Sequence, residues 1–220
     1  MRNTTGTKAN GDRPDERLSV SEPGPRRRLL DVANELFYQE GVHVVGIDRL
    51  LEEAGVAKAS LYTHFGNKDG LVRAYLEERF AARREHVARV LAIYDSPRDR
   101  LLGMFADVQE ALTGTAFRGC RFINASAEAR PDESVVAVTE EYRTWLRTLF
   151  SDLAKAAGAR DAKHLGRQLA LLYDGVAVAA HLDKDRTGAG AAARSAAAAL
   201  LDAAAGDAPV VRQRRKANAG

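Results

Sequence analysis

The sequence predicts an all-α protein. Apolar residues recur at intervals of three and four along most of the chain, which is the spacing of helices that bury one face. The alternation of apolar and polar residues that marks a half-buried β-strand is hard to find. Glycine and proline residues separate the helical segments, as expected of residues that end or begin helices. With 220 residues, the chain is long enough for one large or two small domains with a hydrophobic core.

The first predicted helix begins at Pro25, since proline is tolerated in the first turn of a helix. It runs to Gly41, where glycine provides a stop. Its apolar residues, which share one face, are Leu29, Val32, Ala33, Leu36 and Phe37. We expect this helix to pack beneath the two short helices that follow.

A pair of short helices is predicted on either side of Gly55. The apolar residues of the pair are Ile47, Leu50, Leu51 and Ala54 before this glycine, and Val56, Leu61 and Phe65 after it. Glycine adopts the left-handed conformation at little cost, so the chain can bend sharply between the two helices. Such a pair is a helix-turn-helix, whose second helix fits a DNA major groove about 12 Å wide.

The second helix of this pair has small and hydrogen-bonding residues on its outward side. They are Lys58, Ala59, Ser60, Tyr62, Thr63 and His64. We predict that this helix is a recognition helix. Lys58 is assigned to a phosphate, Tyr62 and His64 to phosphates with possible base contact, and Ser60 and Thr63 to base edges or thymine methyl groups. His64 as an ordinary surface residue remains the alternative.

Asn67 is a good N-cap for a connecting helix that begins with Lys68. At this point residues 26–80 resemble the DNA-binding domain of the tetracycline-repressor (TetR/AcrR) family. The resemblance is carried by LLDVANELFYQEG, AGVAKASLYTHF and NKDGLV, which occur together and in this order. It implies a ligand-responsive transcriptional regulator, most often a repressor, and it covers about a quarter of the chain strongly.

Three further residues are assigned to phosphate contacts. Lys68 is one of them, and Arg28 belongs to the basic run that opens the first helix beside the recognition helix. The third is Gly46, because family members usually carry a threonine, often followed by a second hydroxyl residue, where this chain has Val45 and Gly46. Backbone N–H groups at that helix start must therefore contact the phosphate without help from a side chain.

The remainder of the chain is predicted to form a larger helical body. Helices are expected over residues 98–112, 132–157, 161–183 and 191–205, with a short segment over 117–131 and a glycine-rich turn before the last helix. The last two helices are rich in alanine and apolar on more than one side, which favours a homodimer built as a four-helix bundle. Completion of the monomer core is the alternative.

Dimerisation would explain how DNA is bound specifically. Two recognition helices related by a two-fold axis and separated by about 34–36 Å read two half-sites in successive major grooves. The expected partner is therefore a double-stranded operator with an inverted repeat.

The resemblance further implies a cavity in the body for a small-molecule effector. The candidate lining residues mix aromatic surface with a few polar groups, as ligand pockets do. They are Phe105, Gln109, Phe122, Asn124, Tyr142, Trp145, Tyr173 and His181. This composition favours a hydrophobic or aromatic effector, which would be cationic if Asp107, Glu128 or Asp174 faced inward. Each candidate residue can equally be part of the core.

Other functions have little support in the sequence. We find no nucleophile elbow, metal-ligand set or phosphate-cradling glycine loop, so we expect neither an enzyme nor a cofactor. Cys120, the single cysteine, lies near Arg118 and Arg121 and permits a redox switch, although a small packing residue is the alternative. A helical ligand-binding protein that has lost operator binding, or a helical enzyme, is the competing interpretation of the whole chain.

The predicted organisation has four parts. They are an N-terminal arm (residues 1–23), the DNA-binding domain with its connecting helix (24–84, helix-turn-helix at about 46–65), the ligand-binding and dimerisation domain (85–206) and a basic tail (207–220). The formal net charge of +3 permits nucleic-acid binding without arguing for it. The absence of a long apolar run or a signal-peptide core predicts a cytoplasmic protein without membrane association.

Overall fold

The computed structural model describes residues 23–114, 117–131, 133–183 and 186–205, and within these ranges the chain forms nine α-helices and no β-strand. They are α1 (Pro25–Glu40), α2 (Ile47–Ala54), α3 (Lys58–Phe65), α4 (Lys68–Ala92), α5 (Pro97–Leu112), α6 (Arg121–Glu128), α7 (Ser134–Ala156), α8 (Ala162–Leu182) and α9 (Arg186–Ala205). The all-α prediction is confirmed.

The first three helices and the start of α4 form a head with its own core. Leu29 of α1, Leu50 of α2, Leu61 of α3 and Leu71 of α4 are all completely buried. Removing side chains of this size from water stabilises a fold by about 1.5–3 kcal/mol each. Helices as short as α2 and α3 are marginal by themselves, so this packing is what holds them in place.

The connecting helix α4 joins the head to the body. As predicted, Asn67 is its N-cap, and the Oδ1 atom of Asn67 accepts a hydrogen bond of 2.8 Å from the backbone N–H of Gly70. α4 is 25 residues long and packs against α1 and α3 in the head and against α5 and α7 in the body. The two parts of the molecule therefore share one rigid element.

The body consists of α5–α9 with the second half of α4. α7 packs against α8, while α9 packs against both α5 and α8. Two aromatic clusters occupy its interior: Phe105, Phe150 and Tyr173 form one, and Phe80, Phe122, Tyr142 and Trp145 form the other. They connect α4, α5, α6, α7 and α8 around the region in which a ligand cavity was expected.

The prediction of a glycine-rich turn before the last helix is wrong. α9 already begins at Arg186, so that Gly188 and Gly190 lie inside the helix. Gly190 is buried against α5, and a Cβ atom at this position would lie 2.7 Å from the Cγ atom of Gln109. The glycine is thus required for the close approach of two helices rather than for a turn.

Some of the sequence-based expectations lie beyond the described residues. These are the N-terminal arm except Pro23, and the basic tail with Arg212, Arg214, Arg215 and Lys216. In the part of the chain that is described, no helix is long and apolar enough to cross a lipid bilayer.

We predict that the junction between α3 and α4 does not tolerate a side chain at position 70. A Cβ atom on Gly70 would overlap with the backbone carbonyl oxygen of Phe65, which cannot move without displacing α3. Gly70→Ala should therefore lower the free energy of unfolding by about 2 kcal/mol or more, measured by urea denaturation at fixed protein concentration.

Gly114→Ala is the matched control for this substitution. Its Cβ atom would make an ordinary 3.5 Å contact with the carbonyl oxygen of Ala111, and Gly114 has no positive φ angle. We expect a change within about 0.5 kcal/mol. Equal effects of the two substitutions would contradict the proposed overlap.

Candidate nucleic-acid interface

The helix α3 presents its predicted recognition residues to solvent. Leu61 anchors the helix in the head core, and Phe65 is half-buried beside it. The other candidate residues lie on the exposed side of α3: Lys58, Ala59, Tyr62, Thr63 and His64 are exposed, and Ser60 is half-buried. The structure therefore brings six of the nine candidate residues together on one short helix, with the phenol of Tyr62 projecting among them.

The turn before α3 is held by backbone hydrogen bonds. Gly55 adopts the left-handed conformation with a φ angle of 60°, and its N–H donates to the carbonyl oxygens of Leu51 and Glu52. The N–H of Val56 also donates to the carbonyl oxygen of Leu51, over 3.1 Å. These bonds satisfy carbonyl groups that the end of α2 leaves free, and they set the angle between the two helices.

Arg28 stabilises the same turn from the side of α1. Its Nε atom donates to the carbonyl oxygen of Ala54 over 3.1 Å, and its Nη2 atom donates to that of Gly55 over 3.3 Å. A third bond joins its Nη1 atom to the carbonyl oxygen of Pro23 over 3.3 Å. The guanidinium group is thus engaged within the head, which favours a structural role for Arg28 over the phosphate contact predicted from the sequence.

The two neighbouring arginines of the basic run have different surroundings. Arg27 is paired with Asp31 of its own helix and with Glu78 of α4. Arg26 is exposed, and its guanidinium carbon lies 5.5 Å from the centre of the Phe65 ring on α3. Arg26 is therefore the one of these three arginines whose guanidinium group is exposed to solvent beside the predicted recognition helix.

Gly46 begins α2 at an exposed position. It is the N-cap with a φ angle of −76°, and no side chain of the described residues caps the helix at this end. Val45, which stands where the related family has a hydroxyl residue, is buried in the core instead. The first N–H groups of α2 consequently remain suited to an anion such as a phosphate.

Lys68 differs from the other candidates because it lies near the junction of head and body. It is half-buried, and burial lowers the pKa of its ammonium group, while the carboxylates of Glu128 and Glu133 act in the opposite direction. The structure therefore places this cation close to acidic groups of the body, away from the exposed side of α3.

Hydrogen bonds connect the head to the body near Lys68. The carboxylate of Glu128 on α6 accepts a bond of 2.8 Å from the backbone N–H of His43, and the carboxylate of Asp69 accepts one of 3.2 Å from the N–H of Ser134. Both bonds join a charged side chain to a backbone group, which makes them stronger than neutral ones. They couple the position of the head to α6 and α7.

A second set of contacts surrounds Tyr38 of α1. Its hydroxyl group accepts a hydrogen bond of 2.8 Å from the N–H of Arg118 and donates one of 3.3 Å to the carbonyl oxygen of Gly119. The guanidinium carbon of Arg121 lies 3.4 Å from the centre of the Tyr38 ring. The start of α6 is thus attached to the head through one tyrosine.

The body contains a cavity of about 330 Å³ beside α6. This volume is near the lower end of the range of about 300–1,000 Å³ for small-molecule sites. Of the eight candidate ligand-binding residues, Phe122, Tyr142 and Tyr173 line it. Burial raises the pKa of Tyr173 to about 12, so its hydroxyl group stays protonated. The oxygen of this hydroxyl group accepts a hydrogen bond from the Nη2 atom of Arg83.

The other five candidates are not among the lining residues. Phe105 is completely buried behind Tyr173, and Trp145 packs against Phe80 and Tyr142. Gln109 contacts α9 at Gly190, Asn124 donates to the carbonyl oxygen of Arg118, and His181 is exposed on α8. An aromatic residue at helical spacing therefore did not by itself predict a place in the cavity lining.

The sequence-based analysis missed the basic residues of the cavity. Arg79, Arg83 and His86 of α4 line it, as does Arg121 at the start of α6. Arg79 and Arg83 are four residues apart and so share one face of α4, where like charges repel unless something compensates them. This spacing was the signal in the sequence that could have identified them.

Cys120 lines the same cavity but lacks the properties of a reactive thiolate. Burial raises the pKa of its thiol despite the nearby arginine side chains. Of the acidic residues considered for a cationic effector, Asp107 pairs with Arg83 and Asp174 with Arg143, while Glu128 is not among the lining residues. Among the described residues, no group of three or more His, Cys, Asp or Glu side chains is arranged to hold a metal ion.

The family model described as "Bacterial regulatory proteins, tetR family" matches residues 29–75, which span the head up to the first turns of α4. The chain is 30% identical over 167 residues to the HTH-type transcriptional repressor ComR of Escherichia coli, and the match covers 70% of this chain and 79% of ComR. It is 32% identical over 133 residues to the repressor KstR2 of Rhodococcus jostii, covering 59% of each chain.

Solved structures extend the similarity to the body. A TetR-family transcriptional regulator from Streptomyces coelicolor superposes with a TM-score of 0.78 at 31% identity, over 83% of this chain and 96% of the other. A putative TetR transcriptional regulator from Streptomyces avermitilis gives 0.75 at 34% identity, over 83% and 98%. The order of head, connecting helix and body is therefore common to these proteins.

We predict that Arg28 contributes to stability rather than to a phosphate contact. Arg28→Ala removes hydrogen bonds to the carbonyl oxygens of Ala54 and Gly55 and should lower the free energy of unfolding by about 1–2 kcal/mol. The salt dependence of DNA binding should not change. Arg26→Ala is the control, with little effect on stability; a normal unfolding curve for Arg28→Ala together with a shallower salt dependence would contradict this role.

Proposed function

We propose that this chain, which belongs to the tetR family of bacterial regulatory proteins, binds an inverted-repeat DNA operator as a homodimer and is released from it by a small-molecule effector. Like its relatives, it is a DNA-binding transcriptional regulator and not an enzyme. Repression is the favoured mode because ComR and KstR2 are both described as repressors. The exposed face of α3 is the observation that carries the proposal.

The dimensions and chemistry of α3 suit a major groove. Eight residues at 1.5 Å each make a helix about 12 Å long, comparable with the groove width. Lys58 and Tyr62 are four residues apart on its outer side, and Tyr62 is 48% exposed although tyrosine is usually more buried. An exposed tyrosine next to a lysine that has no ion pair with a described residue is well placed for a phosphate on the groove edge.

The proposed homodimer uses one face of α8. The side chains of Leu171, Val178 and Leu182 are 62%, 43% and 74% exposed, and Gly175 has open space around it. Positions 171, 175, 178 and 182 repeat at intervals of four, three and four, so they form one stripe along the helix. A second copy of α8 and α9 packed on this stripe would remove it from water and complete a four-helix bundle.

Release by an effector follows from the contacts between head and body. The cavity, α6 and the bond between Glu128 and His43 are continuous with one another. A ligand that binds more tightly when α6 is displaced would shift the population toward a state in which the two heads no longer match their half-sites. The α4 helix would carry the movement, since it belongs to both parts.

We predict that Lys58 and Tyr62 contact the operator. On a duplex that the protein selects from random sequence, Lys58→Ala should weaken binding and make the slope of log K against log salt shallower by about 0.9 per lost phosphate contact, hence about 1.8 per dimer. Tyr62→Ala should weaken binding by about tenfold or more. Gel-shift titrations at several salt concentrations measure both effects.

Lys163→Ala is the matched control, because Lys163 is an exposed lysine on α8 in the body. It should leave the operator complex unchanged. The proposal fails if the selected duplexes contain no inverted repeat, or if Lys163→Ala is as harmful as Lys58→Ala. A protein that selects no duplex at all would instead be a helical ligand-binding protein of the same fold.

We predict that a charge on the α8 stripe dissociates the dimer. Val178→Glu places a carboxylate where two copies would meet and should convert the protein to a monomer, because an unpaired buried charge is costly. Light scattering after size-exclusion chromatography measures the mass. Val136→Glu is the matched control, since Val136 is 39% exposed on α7; equal behaviour of the two variants would rule out this stripe as the interface.

A further inference from the structure

The cavity in the body has an excess of positive charge. Arg79, Arg83 and Arg121 line it, whereas Asp174 is the acidic residue among its described lining residues. The carboxylate of Asp174 is bonded to Arg143, which lies outside the lining, and Arg83 is paired with Asp107. Arg79 shares the carboxylate of Glu78 with Arg27, so Arg121 is the lining arginine that has no ion pair with a described residue.

Two guanidinium nitrogens of the lining arginines have no hydrogen-bond partner among the described residues. The Nε atom of Arg79 and the Nη1 atom of Arg121 are buried, and neither is hydrogen-bonded within the part of the chain that the structure describes. Arg79 contacts Glu78 through its Nη2 atom only, and Arg121 has no ion pair with a described residue. Buried donors normally find an acceptor, and a charged one that lacks it destabilises the folded protein.

The rest of the lining is apolar or aromatic. Val108, Phe117 and Phe122 contribute to it, and the ring of Phe122 is stacked on that of Tyr142 with 3.9 Å between centres. The helix α6 begins at Arg121, so its positive end lies beside the cavity lining. A ligand with an apolar body and one acidic end would match both parts of this surface.

We propose that the cavity binds an organic anion, namely a carboxylate attached to an apolar or aromatic body. Its oxygens accept hydrogen bonds from the guanidinium groups of Arg121 and Arg79, and its body contacts Phe117, Phe122 and Val108. This inference rests on the proposed function, because it names the class of effector for the same cavity. It replaces the cationic effector considered from the sequence, because Asp107 and Asp174 are paired with arginines and Glu128 is not a lining residue.

The same arginine contacts the head. Arg121 lies over the ring of Tyr38 on α1, and it is close enough to Tyr75 on α4 for its charge to lower the pKa of that phenol against the effect of burial. A carboxylate that draws the guanidinium group toward the cavity would change its contact with both helices. Anion binding and the position of the head therefore depend on one side chain. The anion can then bind one position of the head more tightly than another, which is what regulation by a ligand requires.

Calorimetric titration of the full chain with three probes of one shape tests the proposal. The probes are 2-naphthoate, 2-naphthamide and 2-naphthylmethylammonium, which differ in charge and share the apolar body. We expect 2-naphthoate to bind at least about tenfold more tightly than the neutral amide, since a charge-assisted hydrogen bond contributes more than a neutral one. The cationic probe should bind most weakly.

Arg121→Met and Arg79→Met should each lower the affinity for 2-naphthoate about tenfold and leave the affinity for 2-naphthamide unchanged. The unchanged amide affinity also shows that the cavity is intact. If Arg121→Met does not fold, Arg79→Met and the three probes on the unaltered protein still decide the question. Arg84→Met is the matched control, because Arg84 lies on α4 over the Phe80 ring and is not a lining residue.

The proposal is overturned if 2-naphthoate does not bind, if it binds no better than the amide, if the cation binds more tightly, or if Arg84→Met has the same effect as the two cavity variants. None of these measurements involves DNA. A chain that binds 2-naphthoate through Arg121 but selects no operator would refute the proposed function alone, and a chain that selects an operator but does not prefer the anion would refute this inference alone.

Discussion

The position of α3 depends on the burial of one side chain, Leu61. A helix of eight residues is unstable in water by itself, because the cost of starting a helix is spread over too few hydrogen bonds. Leu61 is completely buried against the head core, and the remaining outward residues of α3 are left in solvent as a consequence. The exposed surface of α3 is therefore an indirect consequence of hydrophobic packing within the head.

Arginine side chains have three different roles in this structure, and the sequence alone does not show which arginine has which role. Arg28 bonds to backbone carbonyls and supports the turn between α2 and α3, and Arg27 pairs with acidic residues of α1 and α4. Arg121 lies at the body cavity and against Tyr38 at once. A planar group with five donors can bond to carbonyls, stack on a ring and bind a carboxylate. Its task here is set by which neighbours the fold brings within reach.

Local signals predicted the helices of the head well. Pro25 begins α1, Gly55 ends α2 in the left-handed conformation, and Asn67 caps α4, because each of these depends on residues within about four positions along the chain. Gly190 shows the limit of such signals. A glycine suggests a turn when it is considered with its sequence neighbours, but it lies inside α9 because α5 passes too close for a side chain.

The sequence by itself determined the all-α class, the helix-turn-helix and the residues exposed on α3, because periodicity and caps act over a few residues. Only the tertiary structure decided which side chains line the cavity. Three of the eight predicted residues do so, and the unpartnered nitrogens of Arg79 and Arg121 were not anticipated. The physical reason is that a cavity is enclosed by helices distant in the chain, so its charge depends on which acids reach which arginines across the fold.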